Sequence, residues 1–305
     1  FGGKSSKITF NELTVDYLLN GFKGKGLIDQ KSKLNYWNQL IGSKQLIYIT
    51  KHDITNGLHN LPDKLTNATI NRYKAVIFLG DTNTVMGAIA AAQHNIPIIH
   101  IEGCMRSYDW RMPEEKYRTM VDHLSDRIYA YLDNYKIQGL NEGIGENRIM
   151  VTGNPIVDII FENKNLFSRG ADLIDKTTKE IIKGDYVLAT CHRRENILDK
   201  DSLSSIINLM NSVPDKIIFP MGYKTKEQLD EFGLKINDNV YISNPIGYIE
   251  FMYLLDNSNY VISDSGTVVE EACILGVPSV QVRKSTERPE VYEVNSSVKF
   301  DPTSQ

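Results

Sequence analysis

Four clusters of ionisable side chains stand where strands should end, and their types suit proton transfer at carbon beside a bound anion. In Gly80-Asp81-Thr82 an aspartate closes the apolar run AVIFL and precedes an alanine-rich segment, a position that a helix cap would also take. In His100-Ile101-Glu102-Gly103, alternation puts His100 and Glu102 on the same side of a buried strand. A carboxylate there needs a partner or a function. In RSYDWRMPEEKYR, from Arg106 to Arg118, Pro113 opens a helix whose first turn holds Glu114 and Glu115, where carboxylates commonly serve the helix dipole alone. The fourth cluster, Cys191-His192-Arg193-Arg194-Glu195-Asn196, is a cationic loop after an apolar strand, with a salt-bridged turn as its plain alternative. Asp81, Glu102 and Glu114 fall in one half of the chain, Arg193 and Arg288 in the other. Such charges complement a nucleotide sugar, with the diphosphate on the basic half and the sugar against three carboxylates. Crowded carboxylates favour protonation of one member, so that one can hold a proton while another removes one.

The element best placed to hold the anion is NYVISDSGTVVEEACILGVPSVQVRKSTERP, residues 259–289. Tyr260, Val261 and Ile262 make a strand, Asp264-Ser265-Gly266 a turn, and the spacing from Val268 to Leu275 predicts a helix. Gly276 stops that helix, and a buried strand starts at Pro278. Ser265 and Gly266 then offer free backbone N–H groups to a phosphate at a helix N-terminus, beyond a strand end. A cap alone is the other reading. Glu271 lies one turn from Thr267, within reach of a ribose diol, and Arg288 is an additional clamp.

Around these motifs the chain reads as α/β. From Tyr73 to Asn154, strands AVIFLGD, IPIIHIEG, RIYAYL and RIMVTGN alternate with helices, which describes a parallel sheet. Residues 139–147 read as a surface loop, 155–161 as a helix leaving the lobe, and 162–185 as a polar linker. The second lobe then runs through strand YVLATCH, helix SLSSIINLMN, strands KIIFPMG and NVYISNP, helix GYIEFMYLLDNS, and ends in the 259–289 unit. The predicted fold is two Rossmann-like, doubly wound lobes facing a cleft, residues 1–165 carrying the acid/base carboxylates and 166–305 the nucleotide. Before Tyr73 only a short strand over 46–50 is legible, with His52 at its end, where ligand-facing residues gather, though a histidine in such a loop is more often merely solvated.

A chain of 305 residues suits two domains of about 150. Its net charge of -4, with Lys and Arg scattered among more numerous acids, excludes a nucleic-acid backbone as partner. No apolar run approaches the roughly 20 residues that span a bilayer and no signal-peptide pattern opens the chain, so the expected location is the cytoplasm. Three widely spaced cysteines in apolar contexts, Cys104, Cys191 and Cys273, read as reduced core thiols rather than disulfides or metal ligands.

The motifs resemble those of the non-hydrolysing UDP-N-acetylglucosamine 2-epimerases, which share the two-lobed GT-B fold. The resemblance covers Tyr73 to Val291 and rests on GD at Gly80, EG then MR over Glu102 to Arg106, PEE at Pro113, VTGN at Val151, HRREN at His192, SDSG then EEA from Ser263, and TERPE at Thr286. It implies acid/base roles for Asp81, Glu102 and Glu114 and a catalytic-site histidine at His192. It also implies UDP or substrate contacts at Arg106, Arg118, Arg193, Ser265, Gly266, Thr267, Glu271 and Arg288. The reaction so implied inverts C2 of a UDP-2-acetamido sugar by anti elimination of UDP and re-addition through a 2-acetamidoglycal, with no metal or other cofactor and in a homodimer. UDP-N-acetylglucosamine and 6-deoxy-L-hexosamine analogues are the candidate substrates. The alternatives are a hydrolysing 2-epimerase releasing N-acetylmannosamine, a glycosyltransferase, and a catalytically silent nucleotide-sugar binder. The family's G-T-R-P-E loop is not visible before Tyr73. Thr267 stands where a second glycine is usual, Tyr117 replaces an asparagine, and FPMGYK lacks the usual histidine and asparagine.

Overall fold

The computed structural model of the chain describes residues 74–304, all within the unit Leu65–Gln305. The strand expected over 46–50 and His52 lie outside the described residues.

Short apolar runs become parallel strands because both faces of a parallel sheet are normally covered. The first sheet holds β1 (Val76–Leu79), β2 (Ile98–Ile101), β3 (Arg127–Ala130) and β4 (Ile149–Val151) in that order, all parallel. A 3-10 turn, Asn83–Met86, leads into α1 (Gly87–Gln93). Pro113 occupies the first turn of α2 (Pro113–Leu124), where its missing N–H costs nothing. The connection β3 to β4 carries α3 (Asp133–Asn141) and a 3-10 turn, Glu146–Arg148. The loop expected over 139–147 is therefore shorter than its polar sequence implies, and Ile144 within it is buried.

Residues 162–185 are a correction, since they form helices rather than a linker. α4 (Pro155–Phe167), capped by the Asn154 side chain, is followed by α5 (Gly170–Leu173) and α6 (Lys176–Ile181), capped by Asp175. Among the polar residues Phe167 and Ile174 are buried, packed with Ile160 into the core under the second sheet. Gly170 permits the contact: a Cβ there would lie 2.4 Å from that of Tyr253.

The second sheet has the order β10-β9-β8-β5-β6-β7, again all parallel. Its strands are β5 (Tyr186–Thr190), β6 (Lys216–Pro220), β7 (Val240–Ser243), β8 (Tyr260–Ser263), β9 (Ser279–Val282) and β10 (Ser297–Phe300). Between them run α7 (Arg194–Ile197), α8 (Lys200–Ser212), α9 (Tyr223–Phe232), α10 (Tyr248–Asp256), α11 (Gly266–Leu275) and α12 (Glu290–Glu293). Sequence reading misses α9, α12 and β10, and takes the short α7 for part of a loop. α9 is mostly polar and is defined by its ends, Gly222 before it and Gly233 after it at φ 65°. α8 shows the opposite case, burying Leu203, Ile206, Ile207 and Met210 along one stripe; each such side chain is worth about 1.5–3 kcal/mol. No helix among the described residues is long and apolar enough to cross a membrane.

Candidate active site

Strand order in the second sheet reverses between β5 and β8, and the crevice beyond such a reversal is where open α/β sheets bind ligands. The two strands pair Thr190 with Ser263, whose hydroxyls lie 2.6 Å apart. Next to Ser263 the fully buried Asp264 carboxylate accepts the backbone N–H of His192 at 2.9 Å and of Arg193 at 2.8 Å, and the Asn196 amide at 3.2 Å. The HRREN turn is thus built on an aspartate from another strand. It leaves the His192 ring 58% exposed, with Nδ1 3.5 Å from Asp264. His192 lines a cavity of about 380 Å³ walled largely by Pro220, Ile246, Tyr248 and Phe251, apolar surfaces suited to a flat heterocycle. That cavity is not anticipated from the sequence; its only signal is the aromatic-rich GYIEF segment directly after a strand.

The 259–289 unit folds as expected. Ser265 caps α11 by accepting the Val268 N–H, and Gly276 ends it at φ 78°. One detail corrects the anion site: the Ser265 N–H is not free but donates to Ser263 Oγ at 3.0 Å. A Cβ at Gly266 would lie 2.8 Å from Arg288 Nη1 and 3.1 Å from Glu287 Oε1, so any larger residue there would have to displace that pair. Glu271 is buried and accepts the Tyr248 hydroxyl at 2.9 Å. Burial pushes its carboxyl up to about 7, against the Tyr248 bond and with help from neighbouring Glu270.

The first lobe's carboxylates gather in a second cavity of about 150 Å³, lined by Asp81, Glu102 and Glu114 together with Arg118, Arg193, Thr267, Glu287 and Arg288. Asp81 is not a cap: no side chain caps the turn after it, and its carboxylate lies 2.5 Å from Arg118 Nη2. Glu102 is reached by a different route from the one alternation predicts. β2 stops at Ile101 and Glu102 adopts φ 70°, so the fully buried His100 turns to Asp122 while Glu102 faces Arg288 at 3.2 Å and Arg118 at 3.7 Å. The PEE pair divides. Glu115 is buried and accepts the Ser107 N–H and hydroxyl and the Tyr108 N–H at 2.9–3.0 Å, holding the preceding loop. Both border the cavity, and Glu114 makes no ion pair with another described residue.

Two of the expected arginines have carboxylate partners that the sequence does not show. Arg106 lines neither cavity; it is buried, gripping Glu142 through Nε at 2.8 Å and Nη2 at 2.7 Å, and Asp122 through Nη1 at 2.7 Å. Arg288 is not a bare clamp, because it holds Glu287 at 2.9 Å, Glu270 at 3.2 Å and Glu102 at 3.2 Å. The second lobe's basic side is therefore interleaved with acids. Burial alone would raise the Glu287 carboxyl, yet Arg283, Arg288, Arg193 and Arg118 bring it down to about 2. Sequence reasoning missed Glu287, which lines the smaller cavity, and Glu270 and Asp264, which hold Arg288 and the HRREN turn, although all three sit inside recognised motifs. Glu270 also accepts the Asn154 amide at 2.5 Å, which joins the TGN turn after β4 to α11. Among the described residues no group of His, Cys, Asp or Glu side chains is arranged to hold a metal ion, and Cys104, Cys191 and Cys273 are free thiols.

Residues 52–305 match the family described as UDP-N-acetylglucosamine 2-epimerase. The chain belongs to that family. A UDP-N-acetylglucosamine 2-epimerase of Methanocaldococcus jannaschii is 39% identical over 232 residues, 73% of this chain and 63% of its own length. A UDP-2,3-diacetamido-2,3-dideoxy-D-glucuronate 2-epimerase of Pseudomonas aeruginosa is 33% identical over 73% of this chain and 62% of its own. The chain thus spans rather less than two thirds of these curated relatives. Among solved structures, the M. jannaschii UDP-GlcNAc 2-epimerase in complex with UDP-GlcNAc and UDP superposes with a TM-score of 0.69 at 35% identity, covering 83% of this chain and 72% of that one. The two parallel sheets are the two lobes of the GT-B fold shared by these 2-epimerases.

Proposed function

We propose that this member of the 2-epimerase family inverts C2 of a UDP-2-acetamido-2-deoxy sugar without a metal or redox cofactor. The observation that carries the reading is the juxtaposition of two cavities. Carboxylates from three separate elements, Asp81, Glu102 and Glu114, surround the smaller one, and the HRREN turn contributes His192 to the larger and Arg193 to the smaller. In this reading uridine occupies the larger cavity, Glu271 accepts the ribose hydroxyls, and the diphosphate lies by Ser265, Gly266 and His192 with Arg193 and Arg288 beyond. The first lobe carries the acid/base groups and the second the nucleotide.

A carboxylate removes the C2 proton as the C1–O bond to UDP breaks on the opposite face, giving a 2-acetamidoglycal and UDP. Return of a proton to C2 from the other face, with attack of UDP oxygen on C1, completes the inversion. Interleaved arginines suit this chemistry, since they neutralise both the carboxylates and the departing diphosphate as charge moves. The names of the relatives support a sugar bearing nitrogen at C2 and leave C3 and C6 open. Turnover of UDP-N-acetylglucosamine in deuterated water, followed by NMR, tests the proposal. One deuterium at C2 of recovered UDP-sugar is expected, and epimerised sugar retaining its original C2 hydrogen refutes the mechanism.

A further inference from the structure

Outside the lining of either cavity, a single carboxylate ties together the backbone on which Asp81 and Glu102 stand. Asp122 lies on α2 and is fully buried. Its Oδ2 accepts the Cys104 N–H at 2.9 Å and Arg106 Nη1 at 2.7 Å. Its Oδ1 lies 2.6 Å from His100 Nδ1, and Nε2 of the same ring donates to the Gly80 carbonyl at 2.9 Å. Gly80 immediately precedes Asp81, and Cys104 stands two residues past Glu102. Burial favours the neutral acid at Asp122, but the His100 and Arg106 contacts hold its carboxyl below the ordinary range. Arg106 is fixed in turn by its two bonds to Glu142.

What the hub secures is an uncommon backbone. Gly80, Glu102 and Cys104 have φ of 67°, 70° and 63°, a region that residues other than glycine enter only where the surroundings impose it. Between them Gly103 is pressed against the hub, for a Cβ there would lie 2.3 Å from Ile128 Cγ2 and 2.7 Å from Asp122 Oδ1. Neither Asp122 nor His100 borders the cavities, so replacing either removes no side chain that lines the site.

We propose that Asp122 is a positioning residue: through His100 and the Cys104 amide it holds Gly80 and the Glu102–Cys104 turn in the arrangement that delivers Asp81 and Glu102 together to the smaller cavity. The catalytic part of this inference rests on the functional reading above. Asp122→Asn keeps the shape but sets an N–H against one of the donors that Asp122 now accepts. In the full chain, kcat is expected to fall by about 100-fold, as for a misplacement near 1 Å, with KM and UDP affinity within about twofold. The amides of residues 102–104 should exchange hydrogen faster. Asp126→Asn is the control, since Asp126 accepts the Ile98 N–H at 2.8 Å at the start of β2 and lines neither cavity. Should Asp122→Asn not fold, His100→Gln carries the same readouts. Faster exchange at 102–104 with unchanged kcat overturns the proposal, as does an equal loss of kcat in Asp126→Asn. A wild-type chain without turnover refutes the functional reading instead. The hub is then judged by exchange at 102–104 and by the affinity of UDP-N-acetylglucosamine relative to UDP. A loss confined to the sugar with faster exchange supports it, and unaltered exchange in Asp122→Asn overturns it.

Discussion

Replacing Glu271 by glutamine should make the protein more stable in mild alkali while weakening its hold on UDP. The carboxyl stands at about 7 against an ordinary 4.5, chiefly because it is buried with one hydroxyl partner. At 1.36 kcal/mol per pH unit that difference is worth about 3 kcal/mol. The sign follows from linkage: a carboxyl whose folded value is raised contributes stability fully present below about 4.5 and lost as pH rises through about 7. Between roughly pH 5.5 and pH 8 the wild type should therefore give up about 2 kcal/mol through this group. The amide of Glu271→Gln still accepts the Tyr248 hydroxyl and does not titrate, so the variant lacks that slope and is the more stable form at pH 8. Urea unfolding of both proteins at the two pH values measures the difference. Calorimetry at pH 8 should meanwhile show UDP binding weaker by about 1.5–3 kcal/mol, the range for a hydrogen bond to a charged group. Parallel pH dependences in the two proteins would refute the burial argument, and unaltered UDP affinity would remove Glu271 from the ribose.

Asp81→Asn, Glu102→Gln and Glu114→Gln preserve shape and remove charge. Each should cut turnover by about 10²–10⁴ with UDP affinity nearly intact, and a variant that turns over normally in steady-state kinetics demotes its residue. Arg288→Ala should act on the fold before it acts on catalysis. It strands Glu270, Glu287 and Glu102 around a vacated centre, and thermal melting should register a loss of about 3–5 kcal/mol.

The second lobe's β8-α11-β9 unit was legible because strand, cap, helix period and stop glycine all agree there, from Tyr260 to Val282. The gathering of Asp81, Glu102 and Glu114 around one cavity was legible for a similar reason: each ends a strand or opens a helix on the same side of a parallel sheet. What the sequence could not supply was pairing. Arg106 and Arg288 look alike as cations in polar loops, yet one closes on Glu142 and Asp122 outside both cavities, and the other meets Glu102 from 186 residues away. Local periodicity carries no information about such partners. Nor does it detect α9, whose buried residues are only Thr225 and Leu229, or the helices over 162–185, where scattered lysines mask Phe167 and Ile174.

The two cavities are owned differently. Every residue walling the larger one belongs to the second lobe, from Thr190 to Phe251, whereas the smaller exists only where residues of both lobes meet. Parting of the lobes would break the Glu102–Arg288 and Asn154–Glu270 links and dismantle the smaller cavity without touching the larger. On the functional reading proposed above, the order of release is then built into the architecture. The sugar end of the bound UDP-sugar loses its walls first, while its nucleotide end stays seated until a separate event frees the whole molecule, and free UDP should compete for the enzyme more effectively than any free sugar.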